Sequence, residues 1–385
     1  MNKLLSVFIV LAVLVGAVGC SAAPAPTAAP AAAPAAPAAP AAPAAEPVAA
    51  PAEDPVKGKT IGFINAGPDD YYAQFGDALK AIAKAEGMDV VELNSDYKPE
   101  KELANVQDLV ARGVDAIAVI TAGAAGSAAS IKAAWDAKVP IFFIAGKPEL
   151  MEGTDVTGHV TDNFVILGYQ LGQWVAQHYP GTKCVQIPGF LGQGTAEGQI
   201  VGFNLGLTEG GNDECKVLAS SEWQSDKAVP IAQDLIASGE EFDVIFGANG
   251  ETVRGILQVF NELNVKDKVV VSINGKEEEW DWLKDGREMA TVPNPPSLNA
   301  DLAVQQIMRH FRGEPFIQYL QIKPFAVITK DNVAEAVPWN TQNYMEGRAK
   351  NSFKWQLDYY EEQYKANEQM FKDFDAKLAE YMAGQ

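Results

Sequence analysis

Catalytic chemistry is thinly supplied in this sequence. Three histidines occur, His159, His178 and His310, and none has a second His or Cys at the spacing a zinc ion needs. Neither a Gly-x-Ser-x-Gly elbow nor a Gly-x-x-x-x-Gly-Lys phosphate loop is present. Gly192 and Gly194 follow an apolar run, yet the third glycine of a dinucleotide fingerprint is missing. With no nucleophile–base pair, metal cluster or cofactor motif, the chain is expected not to be an enzyme and to need no cofactor. Basic residues are also in the minority: 30 Lys and Arg against 50 Asp and Glu give a formal net charge of −20. Nucleic acid and anionic lipid both require a basic face, so both are excluded as partners.

Long hydrophobic runs are scarce too. The longest, residues 4–15, is too short to span a bilayer. It follows Lys3 and precedes Gly16, Ala17, Val18, Gly19 and Cys20, the layout of a secretory signal peptide over residues 1–19. Ala17 to Cys20 resembles the bacterial lipobox, in which the cysteine becomes the lipidated N-terminus; Ala17 stands where Leu is usual. The expectation is an extracytoplasmic protein whose one membrane attachment is a lipid on Cys20. Residues 20–55 are then almost wholly Ala and Pro. Proline fixes φ and removes hydrogen-bond donors, so this stretch predicts an extended tether, on the order of 100 Å at roughly 3.1 Å per residue.

Only two cysteines remain after Cys20, namely Cys184 and Cys215, each opening an apolar run with one helix-length segment between. Neighbouring strand starts in a βαβ unit lie within disulfide reach. A bridge there would stabilise by roughly 3 kcal/mol; the alternative is two separate buried thiols.

From residue 56 the composition is that of a globular protein. Short apolar runs at 60–65, 89–93, 116–121 and 140–145 alternate with helix-period stretches at 74–86, 100–112 and 125–137, with Gly87 and Gly113 as stop signals. The pattern repeats, with strands expected at 184–188, 216–219, 243–247 and 269–273 and helices at 197–208, 227–238, 252–263 and 277–284. Strands apolar on both faces and separated by helices mean parallel sheets covered on both sides. The fold class is α/β, with two doubly wound lobes of four or five strands each. Ligands of such sheets lie beyond the carboxyl ends of the strands, here the cleft between the lobes. Glu277, Glu278 and Glu279 predict a solvated first helical turn. Residues 340–385 carry Phe353, Leu357, Tyr360 and Tyr364 at helical spacing, which predicts one or two amphipathic helices packed on a lobe.

The order of these parts resembles the type I periplasmic solute-binding proteins, the ribose- and galactose-binding family of ABC importers, over about residues 57–338. The resemblance rests on 59–65 as first strand, Asp69-Asp70-Tyr71-Tyr72 where the family carries Asn-Pro-Phe-Phe, and Val139-Pro140-Ile141. Val160 to Asn163, Gly202-Phe203, Asn249, Ile273-Asn274-Gly275, Ala290-Thr291-Val292 and 328–332 continue it. Related repressors begin with a helix-turn-helix, which is replaced here by a signal and tether. The resemblance implies two lobes joined by three hinge crossovers, near Asp162, Asn294 to Ser297 and Lys323. The first lobe would comprise 56–161 plus 295–322, and the second 162–294 plus 323–339.

Carried over residue by residue, the implied ligand site keeps its aromatic wall. Tyr71 and Tyr72 stand where the family's rings sandwich a sugar, and Trp223 at a third aromatic contact; flat rings cover a sugar's C–H face. The polar half departs from the family. Ala145-Gly146-Lys147 stands where an Asp-Arg pair is usual, Glu197 and Gln199 where an Arg is expected, Asn274 for an Asp and Asn294 for a Gln, while Asn249 is kept. Asn65, Asp69 and Thr121 complete the candidate set. Amides replace charge-assisted partners, which make bonds about twice as strong. The resemblance thus implies capture of a sugar or sugar-like solute by a monomer that hands it to an ABC permease. A nucleoside or purine ligand, or a sensor signalling to a membrane receptor, is the alternative.

Overall fold

The computed structural model describes residues 54–146 and 148–384. The expected signal peptide, Cys20, nearly all of the Ala/Pro stretch and Lys147 lie outside the described residues.

The chain builds a first lobe from β1 (Thr60–Asn65), α1 (Asp70–Ala85), β2 (Asp89–Asn94), α2 (Pro99–Arg112), β3 (Ala116–Val119), α3 (Ala124–Ala137), β4 (Ile141–Ile144) and β5 (Gly158–Asp162). It crosses into a second lobe of α4 (Phe164–His178), β6 (Cys184–Ile187), α5 (Thr195–Glu209), β7 (Lys216–Val217) and α6 (Ser225–Ala237). That lobe continues with β8 (Val244–Gly247), α7 (Gly250–Glu262), β9 (Val269–Asn274), α8 (Glu277–Asp285) and β10 (Ala290–Pro293). The chain then returns to the first lobe through α9 (Pro296–Arg312) and β11 (Tyr319–Ile322), and ends in α10 (Thr341–Lys350), α11 (Leu357–Ala366) and α12 (Glu368–Ala383).

Both sheets are parallel, with orders β11-β5-β4-β3-β1-β2 and β10-β9-β8-β6-β7. The first has six strands where the expected runs supplied four, because β5 forms on the approach to the first crossover and β11 joins after the chain's return. Alternation along each strand divides the side chains between two layers. Ile61, Phe63, Ala118 and Phe142 meet Phe75, Leu79 and Leu302 on one face, while Ile64, Ile117, Val119 and Phe143 meet Val106, Leu109 and Ile131 on the other. The second lobe repeats this, with Phe246 and Val271 under Leu171 and Phe203 and with Val185 and Ile245 under Val253 and Ile256.

Local signals set the helix ends. Pro99 opens α2 and Gly113, at φ 73°, closes it. Helices α4 and α5 lie backbone against backbone on glycines: a Cβ on Gly202 would sit 1.9 Å from the Val165 carbonyl oxygen. Cys184 and Cys215 are joined by a disulfide, Cα to Cα 4.5 Å, where β6 and β7 run side by side.

Three crossovers join the lobes. Asp162 ends β5 and Phe164 opens α4; Pro293 ends β10 and Pro296 opens α9. After β11 the chain passes back to the second lobe, where Ile328 pairs antiparallel with Thr291.

Two expectations require correction. The glutamate run opening α8 is wired into the protein rather than solvated. Glu279 is buried and accepts from Ser272 Oγ, Thr291 Oγ1 and the Lys276 amide, Glu278 pairs with Arg254, and Glu277 accepts from the amides of Trp339 and Asn340. Ser272 on β9 and Thr291 on β10 hold the Glu279 carboxylate against the sheet, so that first-turn residue is covered. The C-terminal extension forms three helices, not one or two, and they pack on both lobes: Tyr344, Leu357 and Tyr360 enter the first lobe's core, whereas Phe371 and Phe374 pack on Ile166 and Leu205 of the second.

Candidate functional site

The cleft between the lobes begins with a helix cap. The Asp69 side chain accepts from the Tyr72 amide at 3.2 Å, which starts α1 at Asp70, four residues before the expected start. Tyr71 and Tyr72 therefore sit in the first helical turn, and their rings diverge at 83° with centroids 5.4 Å apart. The two rings face different directions and do not sandwich anything between themselves; opposing walls must come from the other lobe. The Tyr71 ring rests edge-on against Trp339 at 5.7 Å, and its hydroxyl donates to Asn294 Oδ1 at 3.4 Å. Burial raises both phenols well above their ordinary range, so they stay neutral donors.

The other Asp69 oxygen accepts from the Tyr97 hydroxyl. Burial pushes the Asp69 carboxyl up to about 6 despite these bonds. Thr121 is already committed: its hydroxyl donates to buried Glu102 at 2.9 Å. Ala145 (φ 52°) and Gly146 turn away from β4 along the cleft, and the ring of buried His159 holds Gly146 O at 2.8 Å from Nε2. Burial lowers His159 to about 4, so the ring is neutral at physiological pH.

From the second lobe comes Trp223, buried at φ 66°. A Cβ on Gly189 would meet the Trp223 ring at 2.1 Å, so glycine there makes room for the indole. Asn249 caps α7, accepting from the Thr252 amide at 2.9 Å, and its amide donates to Trp223 O at 3.3 Å. It thereby holds the loop that carries the tryptophan. Trp223 Nε1 and Gln199 Oε1 are buried without a partner among the described residues. Unpaired buried polar groups cost about 1–3 kcal/mol each, which makes them the groups ready to bond a ligand. Asn274, at φ 134°, ends β9 at the cleft. Asp162, on the first crossover, is buried; Asn299 donates to one oxygen at 2.6 Å, the other has no partner among the described residues, and burial pushes the carboxyl up to about 7.

Together Asp69, Tyr71, Tyr72, Thr121, Gln199, Trp223, Asn249, Asn274 and Asn294 line one cavity of about 550 Å³, counted to its open mouth. That size suits a small molecule. Two expected members lie elsewhere. Asn65 points behind α1, donating to Tyr72 O at 2.8 Å and Glu92 Oε1 at 2.9 Å, so its amide positions the tyrosine turn instead of facing the cleft. Glu197 closes back on its own loop, accepting from the amides of Gly192 at 2.5 Å and Gly194 at 3.0 Å as the capping carboxylate of α5. Lys147 is outside the described residues. The lining also includes Ile120, Phe164, Gln193 and Thr195, which sequence reasoning did not single out. Phe164 directly follows the first crossover and Gln193 lies between the two glycines before α5, so position alone could have marked both. The lobes meet at the cleft mouth: Tyr97 stacks on Phe190 at 4.9 Å and 17°, and Lys276 reaches Asp70 at 3.4 Å.

A family profile described as periplasmic binding protein domain matches residues 61–315. The chain belongs to the periplasmic binding protein family. Among its relatives, this periplasmic binding protein is 26% identical over 247 residues to the ribose import binding protein RbsB of Salmonella typhimurium, covering 63% of this chain and 81% of that protein. It is 26% identical over 298 residues to a xylitol-binding protein of Mycolicibacterium smegmatis, covering 75% and 83%. The arabinose-transporter binding protein of Shewanella sp. ANA-3, solved with arabinofuranose, shares its fold at a TM-score of 0.66 and 22% identity, over 77% of this chain and 99% of that one. Three α-helices of this periplasmic binding protein, α10 to α12, follow the matched region.

Proposed function

We propose that this protein captures a small, polar, ring-shaped solute, a sugar or sugar-like molecule, in the inter-lobe cleft and delivers it to an ABC permease without altering it. The observation that carries the reading is a cavity with aromatic rings from both lobes and with Trp223 Nε1 and Gln199 Oε1 buried without partners among the described residues. Rings bury the apolar face of a sugar, and unpaired amide and indole groups take up its hydroxyls. Relatives named for ribose, galactofuranose and xylitol support the ligand class. The layout of residues 1–20 supports an extracytoplasmic location and a lipid on Cys20, with the Ala/Pro stretch as tether.

A thermal-shift panel of pentoses, hexoses, polyols and nucleosides tests the reading. A ligand at 100 times its Kd adds about 2.7 kcal/mol, a shift of several degrees. A shift with a sugar or polyol, and its recovery unchanged, is the expected result. A shift only with nucleosides reassigns the ligand, and turnover of a ligand or no shift with any compound overturns the capture reading. Cys20→Ser should release the protein from membranes into the soluble fraction.

A further inference from the structure

The C-terminal extension lies beyond the matched region, and its arrangement is unlike that of a terminal decoration on one lobe. It starts at the ligand cleft: Trp339 is buried against the Tyr71 ring, and its indole donates to Asn294 O at 3.1 Å. Helix α10 is then pinned to the first lobe. Tyr344 is fully buried and its hydroxyl donates to Asp301 at 2.9 Å, while Arg348 Nε meets the same buried carboxylate at 2.8 Å. Helix α11 adds Leu357 and Tyr360 to that core, and Glu361 accepts from the Ile317 amide at 2.7 Å.

Helix α12 is pinned to the other lobe. Phe371 and Phe374 pack on Ile166 of α4 and Leu205 of α5, with the Phe374 ring 5.2 Å from Tyr169. Lys377 bonds Glu209 at 2.8 Å and the Tyr169 hydroxyl at 2.9 Å, and Tyr381 donates to Glu214 at 2.5 Å. The connection between the two anchored helices has no slack. Asn367 is both the last cap of α11 and the first of α12, and the ring of Tyr364 packs on the cores of both lobes. The anchor on α4 lies within two turns of Asp162, the first hinge crossover.

We propose that α11 and α12 form a strap across the hinge that holds the two lobes in the closed arrangement and limits how far they open. Rotating one lobe away from the other must either bend the chain at Asn367 or lift Phe371 and Phe374 off the second lobe. Opening by hinge rotation alone would break contacts at the cleft mouth such as Tyr97 on Phe190 and Lys276 with Asp70. With the strap engaged, opening must break contacts at two places about the hinge. The inference concerns motion and holds whatever the cleft binds.

Spin labels on the exposed positions Gln107 of α2 and Gln233 of α6, in the full chain with Cys20→Ser, report the separation of the lobes without added ligand. The unsubstituted strap is expected to show one dominant short distance. Phe371→Ala with Phe374→Ala should add a longer-distance population of at least one third. Lys377→Glu, which places a carboxylate beside Glu209 without touching the buried rings, should do the same to a smaller extent, and it carries the test if the double variant loses its secondary structure by circular dichroism. Distance distributions that match the unsubstituted strap in the folded variants overturn the proposal, as does a dominant long distance with the strap intact.

Discussion

Asp162→Asn should remove a pH dependence that this one carboxyl imposes on the whole protein. Asp162 is buried at the first hinge crossover; among the described residues Asn299 is the one side chain that bonds it, and its second oxygen has no partner there. Burial lifts it from an ordinary 3.8 to about 7. A carboxyl whose folded value is raised contributes full stability below its unfolded value and loses that contribution as pH climbs through the folded value. Folding is therefore favoured by protonated Asp162 below about pH 4, and the advantage falls away up to about pH 7. At about 1.36 kcal/mol per pH unit over that interval, the change is on the order of 4 kcal/mol, an upper figure because water can reach the site as the lobes move. Asparagine keeps the shape, can accept from Asn299 through its oxygen and carries no charge at any pH. Denaturant unfolding of both proteins at pH 5 and pH 8 isolates this group, since Asp69 and the other raised carboxyls contribute equally to each. Asp162→Asn should gain on the parent between pH 5 and pH 8, by roughly 2–4 kcal/mol. A difference between the two proteins that stays the same at both pH values would refute the assignment of a buried, mostly protonated Asp162.

Two further outcomes follow from the site and the packing. Trp223→Ala removes the second lobe's ring and should weaken binding of the panel's ligand at least tenfold, about 1.4 kcal/mol or more, by isothermal calorimetry, whereas Trp223→Phe keeps most of the stacking; affinity unchanged in Trp223→Ala takes the residue out of the site. Gly202→Ala puts a methyl 1.9 Å from the Val165 carbonyl oxygen and should lower the melting temperature by several degrees, on the order of 1–3 kcal/mol of overpacking, and an unchanged melt would mean that α4 and α5 can slide apart without cost.

Much of the site was legible because it follows local rules. The family resemblance singled out Asn249, Asn274 and Asn294, and a parallel sheet, which presents its ligand at the carboxyl ends of its strands, puts all three at the cleft. Asn65 sits at an equally suitable end and yet faces away, because Glu92 on the neighbouring strand and the Tyr72 carbonyl claim its amide. Glu197 stands one turn into a helix opened by glycines, and the unpaired amides of that loop draw its carboxylate back. Both cases turn on which donor is nearest in space, a quantity that residue types do not carry. The tyrosine pair was found, but its divergent rings depend on where α1 begins, and one capping carboxylate moved that start by a turn.

The sequence by itself determined most of the alternating strands and helices and the parallel two-lobed plan, because apolar periodicity and stop residues act within a few positions. The aromatic wall of the cleft was legible only through the family resemblance, and β5, α4, β10, α9 and β11 were not among the expected elements. Only the tertiary structure decided which polar groups remain unpaired in the cleft and that the last helices clasp both lobes. Amphipathic spacing tells that Phe371 and Phe374 must be buried, but burial has no address: the surface that covers them is chosen by the three-dimensional approach of α4 and α5, nearly two hundred residues away in the chain.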